Sequence, residues 1–235
     1  MEIKNFLVTG ASRGIGYDTA MTLAASAQHR VFVLSRNEEQ LKALATATAE
    51  RYVHKNIFFM ATDVATVNTD EVARWIQPHG QLTSLINNAG LLVNKPFLEL
   101  SEEDWQASFQ VNFFAVVRLL KSFHSLLKNG GHVLNIGSMG GYQGSAKFPG
   151  LGAYSASKSA LANLTEYLAE EWKEDGIGCN CLALGAVQTD MLNLAFPGFQ
   201  APVTSEQMGE MVAWFAQNGQ RFFNGKILPV SVSTP

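Results

Sequence analysis

Thr9-Gly10-Ala11-Ser12-Arg13-Gly14-Ile15-Gly16 stands between a short apolar run and a longer amphipathic one. Residues 3–8 are typical of a strand, and residues 15–27 are typical of a helix. The glycines let the backbone turn sharply and approach a phosphate closely, and the helix start offers free N–H groups to an anion. A turn that serves the backbone alone is the alternative. The position between strand and helix favours phosphate binding.

The same alternation continues along the chain. Further strands are predicted at residues 31–34, 57–60, 82–86, 132–136, 178–184 and 226–228, and helices at residues 38–51, 102–127 and 154–172. Strands separated by helices pair in parallel through right-handed crossovers, and strands that are apolar throughout are covered on both faces. The sequence therefore predicts a doubly wound parallel α/β sheet, the Rossmann fold. It has about seven strands flanked by helices in a single domain over residues 1–235.

Composition and charge argue against several classes of protein. The chain of 235 residues has 17 Lys plus Arg, 20 Asp plus Glu and a formal net charge of −3, so no nucleic-acid partner is expected. No apolar run approaches the roughly 20 residues of a membrane span, and residues 1–5 lack the features of a signal peptide. Two cysteines make no disulfide framework. We therefore expect a cytoplasmic protein with no membrane partner.

The end of the second predicted strand bears on the choice of nucleotide. An NAD site usually carries Asp or Glu at this point, whose carboxylate accepts a hydrogen bond from the ribose 2′-OH. Ser35 and Arg36 stand there instead, and Arg36 together with Arg13 could pair with a 2′-phosphate. Both arginines could alternatively be solvated surface charges. The missing carboxylate favours NADP(H) as the cofactor.

Polar residues also follow the third and fourth strands, at the sheet edge where doubly wound folds bind ligands. Asp63, followed by Val64, could accept from an adenine amino group or cap the next turn. Asn88, within Asn87-Asn88-Ala89-Gly90, could bond the cofactor or tie loop backbones together. The residues alone leave both choices open.

Three residues in the second half of the chain suggest acid–base chemistry. Tyr154 and Lys158 share one face of a predicted helix, and Ser138 follows the fifth strand. A nearby ammonium is expected to lower the pKa of Tyr154 from its ordinary value of about 10, which would make the phenol a better proton donor. Ser138 could hold a carbonyl oxygen. Each of the three residues alone could be an ordinary surface residue. That interpretation does not explain well why all three occur together with the phosphate-binding turn.

The sequence resembles the short-chain dehydrogenase/reductase family, and most of all its 3-oxoacyl-[acyl-carrier-protein] reductases and NADPH carbonyl reductases. Four features together carry the resemblance: residues 9–16, residues 87–90, Ser138, and Tyr154-Ser155-Ala156-Ser157-Lys158. The resemblance covers residues 6–225. The motif set in this order is specific for the family and much less specific for the substrate.

The resemblance implies a role for each matching residue. Tyr154 would be the general acid, Lys158 would lower its pKa and bind the nicotinamide ribose, and Ser138 would hold the substrate oxygen. Asn112 would position a water in a proton relay toward Lys158. Other residues would surround the cofactor: Asp63 and Val64 at the adenine, Asn88, Ala89 and Gly90 near the adenine-side ribose, and Gly185, Val187 and Thr189 at the nicotinamide.

Three features depart from the family's pattern. Leu184-Gly185 replaces the usual Pro-Gly, so the nicotinamide-side loop is expected to sit differently. Tyr154 follows Ser138 by 16 positions, slightly more than is usual, and the extra residues lie in residues 141–152, where Phe148 would shape the substrate pocket. The tail at Lys226–Val230 lacks the usual Gly-Gly, which makes a dimer more plausible than a tetramer.

The two longest predicted helices bear on assembly. One apolar face of each would cover the sheet, and further apolar residues on the other faces suggest a homodimer or homotetramer: Phe114, Val117, Ala156, Ala160 and Tyr167. No metal is expected, because the five histidines lack ligand spacing. Cys179 and Cys181 are expected to be buried small hydrophobic residues.

These observations predict an NADPH-dependent enzyme that reduces a small-molecule ketone or acyl thioester to a secondary alcohol. Its pocket would have an apolar rim: Met139, Tyr142, Phe148, Leu151, Met191, Leu194 and Phe196. Two alternatives remain. One is a dehydrogenase of the same family that acts on a sugar or polyol, and the other is a non-enzymatic NADP(H)-binding sensor.

Overall fold

Seven apolar runs pair in parallel as one sheet in the computed structural model, which describes residues 3–232. In chain order the strands are β1 (Lys4–Thr9), β2 (His29–Ser35), β3 (Ile57–Ala61), β4 (Ser84–Asn87), β5 (His132–Ser138), β6 (Gly178–Leu184), β7 (Val187–Gln188), β8 (Val203–Thr204) and β9 (Lys226–Val230). The short strands β7 and β8 pair with each other, and the main sheet has the order β3-β2-β1-β4-β5-β6-β9. The predicted doubly wound parallel fold is confirmed.

Helices cover both faces of the sheet. They are α1 (Gly14–Leu23), α2 (Glu38–Tyr52), α3 (Thr69–Ile76), α4 (Glu102–Phe109), α5 (Ala115–Leu127), α6 (Gly152–Glu171), α7 (Asp190–Ala195) and α8 (Ser205–Asn218). Helices α1, α2 and α8 contribute to one apolar core, and α3, α5 and α6 contribute to the other. Within residues 3–232, no helix has the length and apolar character needed to cross a membrane.

The strand side chains alternate between the two cores. In β1, Leu7 points into one core, while Phe6 and Val8 point into the other. All three are fully buried. Each such burial contributes about 1.5–3 kcal/mol relative to an exposed side chain, so the central strand is held firmly from both faces.

The order of the strands creates a crevice beside β1. From β1 the chain builds outward to β2 and β3 on one side, and then returns to β4, β5 and β6 on the other. At this reversal the connections after β1 and β4 diverge to opposite faces of the sheet, which leaves a crevice at the carboxyl ends of the strands. Gly10 and Asn88 directly follow these two strands.

The helices differ from the sequence-based prediction in four places. The helix predicted over residues 102–127 is interrupted by a π-helical turn at Gln110–Phe114, which inserts an extra residue into the pattern. Helices α3, α7 and α8 were not predicted at all. Helix α8 has a capping box between Thr204 and Gln207, a sequence pattern that could have revealed it.

His132, the first residue of β5, is a buried histidine held in its neutral form. Its Nε2 is 3.1 Å from Nδ2 of Asn180, which donates to it, and its Nδ1 lies 3.3 Å from the Ala216 carbonyl oxygen. A proton on Nε2 would face the Asn180 donor and would have no acceptor. Burial lowers the pKa of His132 from 6.5 to about 4.

The buried histidine predicts a pH-dependent stability. Because the pKa of His132 is lower in the folded chain than in the unfolded chain, the unfolded chain binds more protons between about pH 4 and pH 6.5. Neutral His132 therefore makes its full contribution to the free energy of unfolding above pH 6.5. About 3 kcal/mol of that free energy is lost as the pH falls to 4. His132→Asn cannot titrate at this position, so its stability in urea unfolding should be lower than that of the unchanged chain near pH 7. This difference should shrink as the pH falls from 6.5 to 4. A deficit that is constant with pH would contradict this account.

Candidate active site

The glycine turn after β1 is built by close backbone contacts. Gly10 and Gly14 have φ angles of +71° and +58°, in the left-handed region that glycine adopts without strain. A Cβ on Gly16 would lie 2.4 Å from the Gly10 carbonyl oxygen and 2.4 Å from Nδ2 of Asn88. The first turn of α1 can therefore pack directly on the loop that precedes it.

Asn88 ties the turn to the neighbouring strand. Its Nδ2 donates to the carbonyl oxygens of Thr9 (3.0 Å) and Gly10 (3.2 Å), and its backbone N–H donates to Oγ1 of Thr9 (3.0 Å). Of the two roles left open by the sequence, the structure shows this tie between loop backbones.

The start of α1 has free hydrogen-bond donors. Arg13 occupies the N-cap position, and its side chain makes no capping hydrogen bond. Its Nη1 instead lies 3.4 Å from Oδ2 of Asp190 across the mouth of the crevice, with both side chains exposed. Beside the loop, Oγ of Ser35 donates to Oγ of Ser12 at 2.8 Å. This corner therefore combines free N–H groups, two hydroxyls and a cation.

Asp63 follows β3 and caps a turn. Its Oδ1 accepts from the backbone N–H of Ala65 at 2.8 Å. Gln110 and Arg118 donate to the Ala65 carbonyl oxygen at 2.8 Å and 2.7 Å. The loop that carries Asp63 and Val64 is thus fixed by the segment around the π-helical turn, through two residues that the sequence did not single out.

Asn112 lies within the π-helical turn and is fully buried. Its Oδ1 accepts from the Leu91 backbone N–H at 2.8 Å, and its Nδ2 donates to the Leu91 carbonyl oxygen and to Oγ of Ser157, each at 2.9 Å. Oγ of Ser157 in turn donates to the Tyr154 carbonyl oxygen at 2.7 Å. Asn112 therefore connects the loop after β4 to the helix that carries Tyr154.

Ser138, Tyr154 and Lys158 come together as predicted. Ser138 ends β5, and the other two lie one turn apart on α6. Burial raises the pKa of Tyr154, and a hydrogen bond with the Ser138 hydroxyl opposes that rise. Burial also lowers the pKa of Lys158 to about 8.

The expectation that Lys158 lowers the pKa of Tyr154 is wrong for this structure. Nζ of Lys158 lies 5.9 Å from the centroid of the Tyr154 ring and donates to the Ile136 carbonyl oxygen at 2.7 Å. The pKa of Tyr154 rises because desolvation is the largest influence on it. The phenol is therefore protonated at neutral pH.

One cavity of about 770 Å³ joins these groups. It is lined by every predicted catalytic and cofactor-binding residue except Gly16 and Asn112, which lie behind its wall and support it. Five residues of the predicted apolar rim also line it, while Tyr142 and Leu194 do not. The prediction for Leu194 is wrong, because this side chain lies on the outer face of α7 and is 78% exposed to solvent. Tyr142 lies between Met139 and Phe148, which both line the cavity, but does not line it itself.

A family model for the short chain dehydrogenases matches residues 4–198. The chain belongs to this family. It is 33% identical over 191 residues to a 3-oxoacyl-[acyl-carrier-protein] reductase of Synechocystis, a match that covers 79% of this chain and 74% of that protein. It is 36% identical over 188 residues to a gluconate 5-dehydrogenase of Gluconobacter oxydans, covering 79% and 72%. Family membership makes the chain an oxidoreductase that acts on CH–OH or C=O groups.

A solved short chain dehydrogenase from Escherichia coli CFT073, complexed with NADPH, has the same fold. Its TM-score is 0.87 and its sequence identity 29%, and the match covers 97% of each chain.

The present chain differs from the family pattern at Leu184, and its structure shows how that residue is accommodated. Leu184 pairs with Ser138 and Val230 in the sheet, and the N–H of Gly185 donates to the Val230 carbonyl oxygen at 2.9 Å.

Residues 3–232 contain no cluster of three or more His, Cys, Asp or Glu side chains that could hold a metal ion. Cys179 and Cys181 are free thiols buried in β6, as predicted.

The contact at Gly16 predicts an unusual response to alanine. Alanine normally stabilises a helix interior relative to glycine by about 0.5–1 kcal/mol. In Gly16→Ala the added methyl would overlap the Gly10 carbonyl, so we expect a loss of about 1–3 kcal/mol in the free energy of unfolding. Gly152→Ala is the matched control, because its Cβ would meet only side-chain atoms, of Leu100 at 3.3 Å, Trp105 at 3.9 Å and Phe97 at 4.0 Å. Thermal unfolding that is equal for the two variants would contradict the packing described.

Proposed function

We propose that this short chain dehydrogenase uses NADPH to reduce a ketone or 3-oxoacyl group to a secondary alcohol. The observation that carries the proposal is the single cavity. It has the glycine turn and Arg36 at one end, and the side chains of Ser138 and Tyr154 at the other. A nucleotide and a carbonyl compound bound in one cavity can meet at the hydroxyl pair.

The nucleotide end suits a dinucleotide that carries a 2′-phosphate. The free N–H groups at the start of α1 would hold the pyrophosphate. A side pocket of about 570 Å³ is lined by Ser12, Arg13, Ser35, Arg36 and the first residues of α2. Glu38, which also lines it, is paired with Lys42 at 2.7 Å. The two arginines would then bind the 2′-phosphate, and the NADPH bound to the related Escherichia coli structure supports this choice.

Arg36→Ala should change the preference between nucleotides. Loss of a hydrogen-bonded cation costs about 1.5–3 kcal/mol, so the Kd for NADPH should rise about 10- to 100-fold while that for NADH is unchanged. Titration calorimetry measures both constants. Arg51→Ala removes the same charge from the last turn of α2 and should leave both values as they are. Equal effects of Arg36→Ala on the two nucleotides would refute the assignment of the 2′-phosphate.

The reacting end would work by positioning and proton transfer. Bound NADPH supplies a hydride for the carbonyl carbon. Ser138 would donate a hydrogen bond to the carbonyl oxygen, and Tyr154, whose phenol is protonated at neutral pH, would give that oxygen its proton. Lys158, whose pKa is about 8, would be largely charged at neutral pH and would bind the nicotinamide ribose. Asn112 and Ser157 would act through the α6 backbone by fixing the position of Tyr154.

Tyr154→Phe removes the proposed proton donor and keeps the ring. General acid catalysis contributes about 100- to 10,000-fold, so kcat should fall by that factor while the Kd for NADPH stays the same. Tyr142→Phe makes the same chemical change just outside the cavity and should retain full activity. Turnover of a ketone by Tyr154→Phe at the unchanged rate would exclude this mechanism.

We also infer that the chain forms a homo-oligomer. Phe114 beside α5 and Tyr167 on α6 are 48% and 61% exposed, on the two segments where the sequence predicted a subunit contact. A dimer is favoured over a tetramer because the segment Lys226–Val230 lacks the Gly-Gly that is usual in the family. A cytoplasmic location also stays a prediction.

A further inference from the structure

The wall of the cavity nearest the hydroxyl pair is apolar. Loops after β4 and β5, together with α7 and the residue after it, contribute its side chains: Leu92, Met139, Phe148, Leu151, Met191 and Phe196. A Cβ on Gly140 would lie 3.6 Å from Oγ of Ser138 and 3.8 Å from Cδ2 of Phe148. The Phe148 ring and the hydroxyl assigned to the carbonyl oxygen therefore both border Gly140.

Phe148 and Phe196 form an aromatic pair at this wall. Their ring centroids are 6.4 Å apart and their planes meet at 61°, an edge-to-face arrangement. Both side chains are only partly buried, although each lines the cavity. Aromatic surface exposed inside a cavity gains most from an apolar ligand group.

Hydrogen bonds hold the three segments of the wall together. Nδ2 of Asn94, in the loop after β4, donates to the carbonyl oxygen of Ala195 in α7 at 2.6 Å. The backbone N–H of Lys95 donates to the Gly150 carbonyl oxygen at 3.0 Å. The aromatic pair is therefore supported by a fixed frame, which favours selection among substrates by shape and polarity.

Charges that line the cavity are engaged elsewhere. Among the described residues these are Arg13, Arg36, Asp63, Lys158 and Asp190. Arg13 pairs with Asp190 and, with Arg36, is assigned to the 2′-phosphate, while Lys158 donates to the Ile136 carbonyl oxygen. Arg36 and Asp63 follow β2 and β3, at the nucleotide end. A carboxylate on the substrate would thus meet the apolar wall without a cation, and an unpaired buried charge is costly.

Polar side chains on the same side of the cavity are hydrogen-bonded to one another and to backbone groups. Nε2 of Gln188 donates to Oδ1 of Asn193 at 2.6 Å, and its Oε1 accepts from the Ala201 backbone N–H at 2.8 Å. These groups offer little to the hydroxyls of a polyol.

We propose that the substrate is an uncharged ketone with an apolar group beside its carbonyl, and that Phe148 and Phe196 determine this specificity. The proposal rests on the proposed carbonyl reduction and narrows it. It sets this chain apart from the sugar-acid chemistry in the name of its gluconate 5-dehydrogenase relative. The apolar group packs against the aromatic pair while the carbonyl oxygen reaches Ser138 and Tyr154.

A matched pair of ketones tests the proposal. Para-methylacetophenone and para-acetylbenzoate share one scaffold and differ in a methyl group against a carboxylate. With NADPH and the full chain, we expect kcat/KM to be about 100-fold higher for the uncharged ketone, because the carboxylate would be desolvated without a partner. An equal or higher value for the carboxylate would overturn the proposal.

Variants of the wall test the two named residues. Phe148→Ala and Phe196→Ala should each lower kcat/KM for para-methylacetophenone about 10-fold and leave the Kd for NADPH unchanged. Leu194→Ala, on the outer face of α7, is the control and should not change kcat/KM. Phe148→Lys should improve the use of para-acetylbenzoate relative to the uncharged ketone by about 10-fold. Unchanged kinetics in both alanine variants would refute the role of the aromatic pair.

Binding separates failure of this proposal from failure of the proposed function. Calorimetry measures the affinity of each ketone for the protein loaded with NADP⁺, without any turnover. Tighter binding of para-methylacetophenone with no reduction of either ketone would contradict the proposed function and support the specificity. Reduction that depends on Tyr154, together with tighter binding of para-acetylbenzoate, would contradict only the specificity.

Discussion

The contact between the glycine turn and Asn88 is the constraint on which the rest of the site depends. Gly16 approaches Gly10 so closely that a side chain cannot fit, and Asn88 satisfies the loop carbonyls that this approach leaves at the crevice. Leaving such buried groups unpaired would cost about 1–3 kcal/mol each. With these contacts in place, the start of α1 points its free N–H groups into the cavity.

A second set of buried polar contacts positions the reacting end. Asn112 joins the loop after β4 to Ser157, and Ser157 holds the backbone of Tyr154. The π-helical turn that brings Asn112 to this position also places Gln110 against the loop that carries Asp63. One irregular turn thus supports both ends of the cavity, and π-helical turns are frequent at functional sites.

Much of the fold and the site could be predicted from local sequence patterns. The strand runs, the glycine turn and the four-residue spacing of Tyr154 and Lys158 are local signals, and each is confirmed by position. The π-helical turn and the roles of Gln110 and Arg118 could not be predicted, because they depend on contacts between segments about 45 to 54 positions apart. The direction of the Tyr154 pKa shift also depends on burial, which spacing alone does not report. Helix α8 is different, since its capping box was present in the sequence.

The central claim is that one cavity brings a nicotinamide and a carbonyl together at Ser138 and Tyr154. Isotope transfer tests it most directly. NADPH with deuterium at both hydride positions of its nicotinamide ring would be incubated with the protein and para-methylacetophenone, and the alcohol would be analysed by mass spectrometry. The account predicts one deuterium on the carbinol carbon of every product molecule. Product without the label, or oxidation of NADPH with no alcohol formed, would contradict it.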